Sequence, residues 1–567
     1  MSQRRYTAVA LAAVIAALTA ISILATNRYR YGTADHCITI PFLKHELNNR
    51  LYPADYLLQQ KAHYYTYLWA GLAQAASWAQ PSLPRLIFAV YVVVVYLTFV
   101  AMYLLARTLF GSVEVGLISL VFLLWPTTWL AETSTLYSML LTKTVALPIV
   151  LLALWLFLRG SYVASFALQA VAFLVHPMTG LYVTLMLLAA CVVCFRQIGA
   201  RRLVAGLGLL VLLASPIIVW SLLDRPAAVS LRADADWVAL LRLRSAHHIF
   251  PLSWSRQLWL RTALVLIVFA ASCRHRPPQL QHRMVMAFSL AVLGMCVVGT
   301  VFSEVLPIGT VLTLQLFRSF KFVVYFAMIY FVNHCLRQLR QGRSSWQGLL
   351  GAPAAAVFFW PAKGWMYGYA VFLAIAVTIA LCEALGRARL AGRAAAVVAA
   401  VGLCAAATLG YLQGPPFHIR TAQSRAWLQV QRWARDNTDL QDVFIVPPQW
   451  CGFRLEAERT IYGDWKDGTL MNFDPDFGRQ WIDRMRRLGY RPAEARWSSQ
   501  PAYRPPASLA GGFAALDEQD FVSLAGQIWR GRTDRGRTFV VRPRKAPRLR
   551  FRPVYWNRHF VVYQVMP

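Results

Sequence analysis

Apolar positions along this chain come in blocks near twenty residues long, separated by short polar stretches rich in arginine. A helix of about twenty residues crosses the roughly 30 Å hydrocarbon core of a bilayer, where only helices and closed barrels satisfy their own backbone. The blocks predict about thirteen helices, over 6–26, 85–106, 112–130, 143–158, 162–175, 179–195, 203–223, 257–272, 284–302, 320–336, 347–361, 366–384 and 394–411. Several are short, and a pair within 143–195 is open to a re-entrant path. Beyond residue 411 the pattern changes. Thr421–Asn437 has helical spacing with an Asn stop, and Asp442–Pro448 reads as a buried strand. Arg459–Lys466 reads as another strand, followed by a helix near 476–488 and an acidic-started helix after Leu516. Strands near 538–542 and 559–565 close the chain. The expected fold class is a polytopic α-helical membrane protein. Its body, 1–411, includes a long first outer loop, 27–84, and carries a small C-terminal α/β extracytoplasmic domain, 412–567.

Composition agrees with that class: 58% of the 567 residues are hydrophobic. The formal net charge is +32. It is spread over the loops and the tail rather than gathered on one element, which argues against nucleic acid and suits anionic headgroups and phosphate-bearing substrates. Short loops carry Arg196, Arg201 and Arg202; Arg274, Arg276 and Arg283; Arg337, Arg340 and Arg343; Arg387, Arg389 and Arg393. Thirteen spans put all of these, with Arg4 and Arg5, on one side, which the positive-inside rule makes cytoplasmic. The C-terminal domain then faces outward. So do the first loop, the loop around Glu132 and Lys143, the turn at His176, the loop 224–256 and the segment 303–319. Leu24–Asn27 lacks a small-x-small cleavage pattern, so the first helix is expected to stay as an anchor. Cys191 and Cys194 lie in an apolar span without a second pair, a structural setting. Cys37 and Cys451 are the two cysteines expected outside, where an oxidising compartment would let them pair.

Candidate chemistry sits on the outer face. Asp35, in Tyr31-Gly-Thr-Ala-Asp-His-Cys37, follows the first span. A carboxylate there can take a proton from an acceptor hydroxyl or hold a divalent cation beside a phosphate; alternatively it caps a short interfacial helix. His36 is a neighbouring candidate for substrate binding. Tyr64, Tyr65, Tyr67 and Trp69 suit a segment at headgroup level. Glu132 is placed to be a second catalytic carboxylate and Lys143 to meet a phosphate, against a plain reading of capping and snorkelling. His176 interrupts an apolar run and so faces a cavity or another helix, where it would bond a sugar or a phosphate or simply pack. Arg318 and Lys321, three apart on one helix face, form a candidate phosphate clamp at the mouth of a span. The loop 224–256 contains Asp234, Asp236, Trp237, Arg242, Arg244, His247 and His248 and reads as an amphipathic interfacial helix. Adjacent histidines diverge on a helix, which disfavours a metal pair there. In the tail, Gly452-Phe453-Arg454 and Asp464-Trp465-Lys466 are candidate substrate contacts. No phosphate-binding glycine loop or nucleophile elbow accompanies them.

This layout resembles the GT-C class of integral membrane glycosyltransferases, with an inward N-terminus, a long first outer loop bearing an acid, many spans and an outer C-terminal domain. The stretch Trp433…Asn437-Thr438…Asp442-Val-Phe-Ile-Val-Pro-Pro…Gly452-Phe453-Arg454…Arg459…Asp464-Trp465 looks like the start of such a domain. The resemblance implies sugar transfer from a polyprenyl-phosphate or diphosphate carrier, with Asp35 as the first-loop acid and Glu132 as the second-loop acid. Gln449-Trp450-Cys451-Gly452 stands near the place of the Trp-Trp-Asp-Tyr-Gly signature, whose absence argues against asparagine-linked transfer. The second-loop Asp-x-Asp is also missing, so a role for Mg or Mn stays open. The expected partners are a polyprenyl-linked sugar donor, a glycan, lipid or protein acceptor, and membrane lipids, with no nucleic acid. The expected location is a bacterial inner membrane, N-terminus cytoplasmic and C-terminus periplasmic. The alternative is a lipid-linked saccharide transporter or flippase, or a non-catalytic subunit of envelope polysaccharide assembly. The absence of an internal repeat weakens the transporter.

Overall fold

The computed structural model describes residues 2–59, 67–79, 82–223, 233–340, 351–362, 364–413, 419, 421–491, 505–530 and 536–565. Tyr64, Tyr65, Arg343, the first part of the loop 224–256 (224–232) and the start of the expected span 347–361 (347–350) lie outside the described residues.

Among the described residues, eight helices are long and apolar enough to cross a membrane, and four more apolar helices are shorter: Val113–Leu124, Thr142–Leu158, Tyr162–Val175 and Pro177–Val193. The eight are Ala8–Thr26, Leu83–Phe110, Ala200–Trp220, Arg256–His275, Gln279–Val305, Gly309–Leu339, Trp365–Ala384 and Arg389–Gln413. Burial sorts them. The apolar window of Gly309–Leu339 is 83% enclosed and that of Arg389–Gln413 only 17%, so the first is the axis of the bundle and the second its rim. Local chemistry sets the ends. Leu83–Phe110 stops at Gly111, left-handed at φ 68°, and Ser112 caps the next helix by accepting from the Val115 amide. That next helix ends at Leu124, short of the expected 130; Trp125 follows and then Pro126, which disfavours helix in the residue before it. The chain then forms a small ribbon, β1 (Thr128–Trp129) with β2 (Thr133–Ser134). The described part of 347–361 forms only two short turns, Ala352–Ala355 and Ala356–Phe359.

The C-terminal domain is a mixed five-stranded sheet in the order β4-β3-β5-β7-β6. β3 (Val443–Ile445) runs parallel to β4 (Thr460–Ile461) and β5 (Thr538–Pro543). β7 (Phe560–Val565) is antiparallel to β5 and to the outer strand β6 (Arg552–Trp556). Every residue of β3 is buried, as expected of a strand covered on both faces. One face packs Phe444, Phe539 and Val541 against Trp427, Val430 and Ala434 of the helix Arg425–Asn437. The other packs Ile445 and Val540 against Trp465 and Trp481, and also against Tyr56, Leu57 and Leu58 of the first loop and Trp237 and Leu241 of the helix Ala235–Ile249. Sheet, first loop and interfacial helix therefore share one core at one end of the bundle. The strand expected over Arg459–Lys466 is a correction: β4 covers only Thr460–Ile461. Asp464 and Asp467 then form a reciprocal capping box that turns Trp465–Asn472 into a 3₁₀ helix.

Candidate functional site

A cavity of about 230 Å³ lies where the bundle meets the domain, and Asp35 lines it. Asp35 stands at the N-cap position of the helix His36–Leu47, but its side chain makes no capping bond. Two ammonium groups hold it instead. Lys466 donates to Oδ1 at 2.7 Å and Lys143 to Oδ2 at 3.2 Å. Burial alone would raise the carboxyl pKa; Lys466 and then Lys143 outweigh it and hold the group well below its ordinary value. Lys143 comes from the start of the helix Thr142–Leu158 and lies 4.5 Å from the centre of the Tyr137 ring. Lys466 comes from the capped 3₁₀ helix, so the Asp464–Asp467 box aims it at Asp35.

The lining adds Arg244 and Arg318 to these lysines, giving four basic side chains to one carboxylate among the described residues. Arg318 sits on the 3₁₀ turn Leu316–Phe320. Directly before it, Gln315 adopts a left-handed backbone at φ 47°, unusual for a residue with a side chain, and breaks the helix that begins at Gly309. Tyr182 fixes this break by donating to the Gln315 carbonyl at 3.1 Å. Gln315 Oε1 and Asn472 Oδ1 are buried on the cavity wall without a hydrogen-bond partner among the described residues. His176 also lines the cavity; its Nδ1 accepts the Thr179 amide at 3.1 Å. His248 Nδ1 lies 2.7 Å from the Ala131 carbonyl, so Nδ1 carries the proton and Nε2 is left as an acceptor. Burial, then Arg318, keeps His248 well below the usual histidine range; burial, then Arg244, brings His247 down to about 3. Apolar residues Ile38, Trp69, Met178, Ile217 and Trp220 contribute much of the remaining wall. No group of three or more His, Cys, Asp or Glu side chains among the described residues is placed to hold a metal ion.

The expected site is thus brought together in part: Asp35, Lys143, His176 and Arg318 share the cavity. Four expected residues stand elsewhere. His36 is fully buried outside it. Its Nδ1 accepts the Gly32 amide at 3.2 Å and its Nε2 lies 2.9 Å from the Leu140 carbonyl, so both nitrogens hold backbone. Arg454 is 1% exposed and clamped between two carboxylates. Asp55 accepts from Nε at 2.8 Å and from Nη2 at 3.0 Å, and Asp467 accepts from Nη1 at 2.8 Å and from Nη2 at 3.1 Å. It is a structural knot between first loop and domain, not a substrate contact. Lys321 opens the helix Lys321–Leu339, is buried at 3% exposed and does not line the cavity, so only Arg318 of the expected pair reaches it. Glu132 lies on a left-handed turn with Ala131, at φ 50° and 55°, and does not line the cavity; the Ala131 carbonyl holds His248 in its place. Gln315 and Asn472 escaped the sequence reading. The signal for Gln315 is one amide inside the apolar run just before Arg318.

Comparison with known proteins adds the fold. A family model described as a domain of unknown function (DUF6798) matches residues 425–488. No curated protein matches the chain. Among solved structures, ArnT from Cupriavidus metallidurans bound to undecaprenyl phosphate is similar over 99% of this chain and 98% of its own, at 15% identity and a TM-score of 0.52. The oligosaccharyltransferase AglB from Archaeoglobus fulgidus, in complex with an inhibitory peptide and a dolichol-phosphate, is similar over 95% of this chain and 70% of its own, at 11% identity and a TM-score of 0.43. With its end-to-end likeness to ArnT, its apolar helices and its terminal sheet domain, the chain has a GT-C-like fold.

Proposed function

We propose that this protein moves a sugar from a polyprenyl-phosphate carrier to an acceptor hydroxyl at the outer face of a bacterial inner membrane, with its N-terminus cytoplasmic and its C-terminal domain outside. The observation that carries the proposal is the charge of the cavity: four cationic side chains, one carboxylate and an apolar wall formed partly by the span Ala200–Trp220. A carrier lipid with a phosphate head matches that combination, and ArnT was solved with undecaprenyl phosphate bound. In this reading Arg318 and Lys143 meet the phosphate, and the negative charge left there when the sugar–oxygen bond breaks is stabilised by cations already in place. The acceptor oxygen forms the new bond at the anomeric carbon and passes its proton to Asp35. Two ammonium groups make Asp35 a weak base in the empty cavity. A donor phosphate that draws Lys143 away removes one of them, and the basicity of the carboxylate rises. Gln315 Oε1, Asn472 Oδ1 and His248 Nε2 are acceptors for sugar hydroxyls. Both Asp35 oxygens are engaged by ammonium groups and the surroundings are cationic, a donor set that does not fit a divalent cation, so no step runs through one.

The test is mass spectrometry of a polyprenyl-linked lipid extract incubated with protein in nanodiscs. Wild type is expected to strip sugar from the carrier with or without a chelator. Asp35→Asn is expected to lose about 10²–10⁴-fold of the rate, the range for a general base, while staying folded. Equal sugar loss with the variant removes Asp35 from the chemistry. No sugar loss with folded, lipid-loaded wild type turns the reading toward transport or assembly.

A further inference from the structure

The seam between the first loop and the C-terminal domain contains two cysteines that the proposed chemistry does not use. Cys37, two residues after Asp35 on the helix His36–Leu47, has its sulfur 2.7 Å from that of Cys451, 414 residues later in the chain. A bonded pair sits about 2.05 Å apart, so the thiols need little movement to join. The surroundings hold both in register. Gln423 Nε2 donates to the carbonyls of Gly32, at 2.8 Å, and Gly452, at 3.3 Å, tying together the turns on either side. Trp427 Nε1 donates to the Cys451 carbonyl at 3.1 Å. Gly452 is left-handed at φ 84°, and a Cβ there would press on Cys37 Sγ, so the close approach of the two turns depends on glycine.

We propose that Cys37 and Cys451 are a redox-active pair that closes to a disulfide and fastens the Asp35 helix to the C-terminal domain. The two thiols differ in a way that sets the order of events. Cys37 is buried, at 3% exposed, whereas Cys451 is half-buried and the more exposed of the two. The hydrogen bond from Cys37 holds the Cys451 thiol below its usual range, with further help from Lys466, while burial pushes Cys37 up. The oxidant is a disulfide carrier of the thiol–disulfide exchange class. The Cys451 thiolate attacks one sulfur of that carrier, breaking its S–S bond and forming a mixed disulfide. The Cys37 sulfur, deprotonated as it reacts, then attacks Cys451 Sγ and expels the second carrier sulfur as a thiol. The protein ends two electrons more oxidised and the carrier two electrons reduced, with both thiol protons passed to carrier thiolates. In the cell this requires the outward orientation proposed above; the chemistry itself does not.

The experiment treats the purified full chain with oxidised glutathione, caps the remaining thiols with a maleimide and maps peptides by mass spectrometry. The chain has nine cysteines. Wild type is expected to lose the label at positions 37 and 451 alone and to yield one linked peptide pair, undone by dithiothreitol. Cys37→Ser lacks the resolving thiol and is expected to trap a glutathione mixed disulfide at Cys451. Cys451→Ser is expected to leave Cys37 unmodified by glutathione. Full labelling of both cysteines after treatment, pairing of either with another cysteine, or glutathione caught on Cys37 in place of Cys451 overturns the proposal. None of these readouts depends on sugar transfer.

Discussion

Lys466 decides how Asp35 behaves. It makes the shorter of the two ion pairs and is the larger of the two influences holding that carboxyl down. An acid whose folded pKa lies below its unfolded value, about 3.9, adds stability above the unfolded pKa and loses it as pH falls through the folded one. Asp35 is therefore expected to stabilise the fold at neutral pH and to stop doing so only in strong acid. Because a third of its side chain is open, the contribution is modest. Lys466→Met leaves Lys143 as the ammonium partner of Asp35 among the described residues, so the acid limb of the rate profile is expected to move to higher pH; rates measured from pH 4 to 8 check the direction. At this scale much was readable. Asp35, Lys143, His176 and Arg318 each interrupt or border an apolar run, and polar groups placed so do not face lipid. Arg454 and His36 misled because the same residue types also serve buried structure, and only their partners tell the two apart.

At the scale of elements, the seam between first loop and domain rests on Arg454. Burial opposes its charge, but Asp467 and Asp55 outweigh that and hold the guanidinium pKa well above its ordinary value. Removing one member of a buried ionic set strands the others and costs about 3–5 kcal/mol. Arg454→Met is expected to bare two buried carboxylates, lower the melting temperature by several degrees and speed protease cleavage within 421–491. Any loss of transfer should follow the loss of fold, with KM unchanged in the folded fraction. An unaltered melting curve would show the knot to be dispensable. Element types were largely legible from periodicity. What periodicity missed were the interruptions: the capping box after β4, the ribbon β1–β2, and the left-handed break at Gln315. In each, a local hydrogen bond or a tertiary contact overrides the apolar pattern.

Taken whole, the molecule is not a membrane body with a detachable cap. The largest core of the C-terminal domain is completed by Tyr56, Leu57 and Leu58 from the first loop and by Trp237 and Leu241 from the interfacial helix. A fragment comprising only 412–567 would expose that surface and leave buried Arg454 without Asp55, one of its two carboxylate partners. It is expected to aggregate or to bind a dye for exposed apolar surface, whereas co-expression with 1–411 restores a folded pair; a well-dispersed amide spectrum from the fragment alone would contradict this. The sequence suggested a domain boundary at 411 because composition changes there. Composition reports what a segment is made of and not which distant segment completes its core.

The contact between Lys466 and Asp35 joins positions 431 residues apart. A ribosome adding about 5–20 residues per second needs some tens of seconds to travel from one to the other. During that interval the first loop has been made, yet the lysine that completes its counter-charge has not been translated. The growing chain thus passes through insertion with its cationic cradle unfinished, and the site cannot assemble until Lys466 has been made.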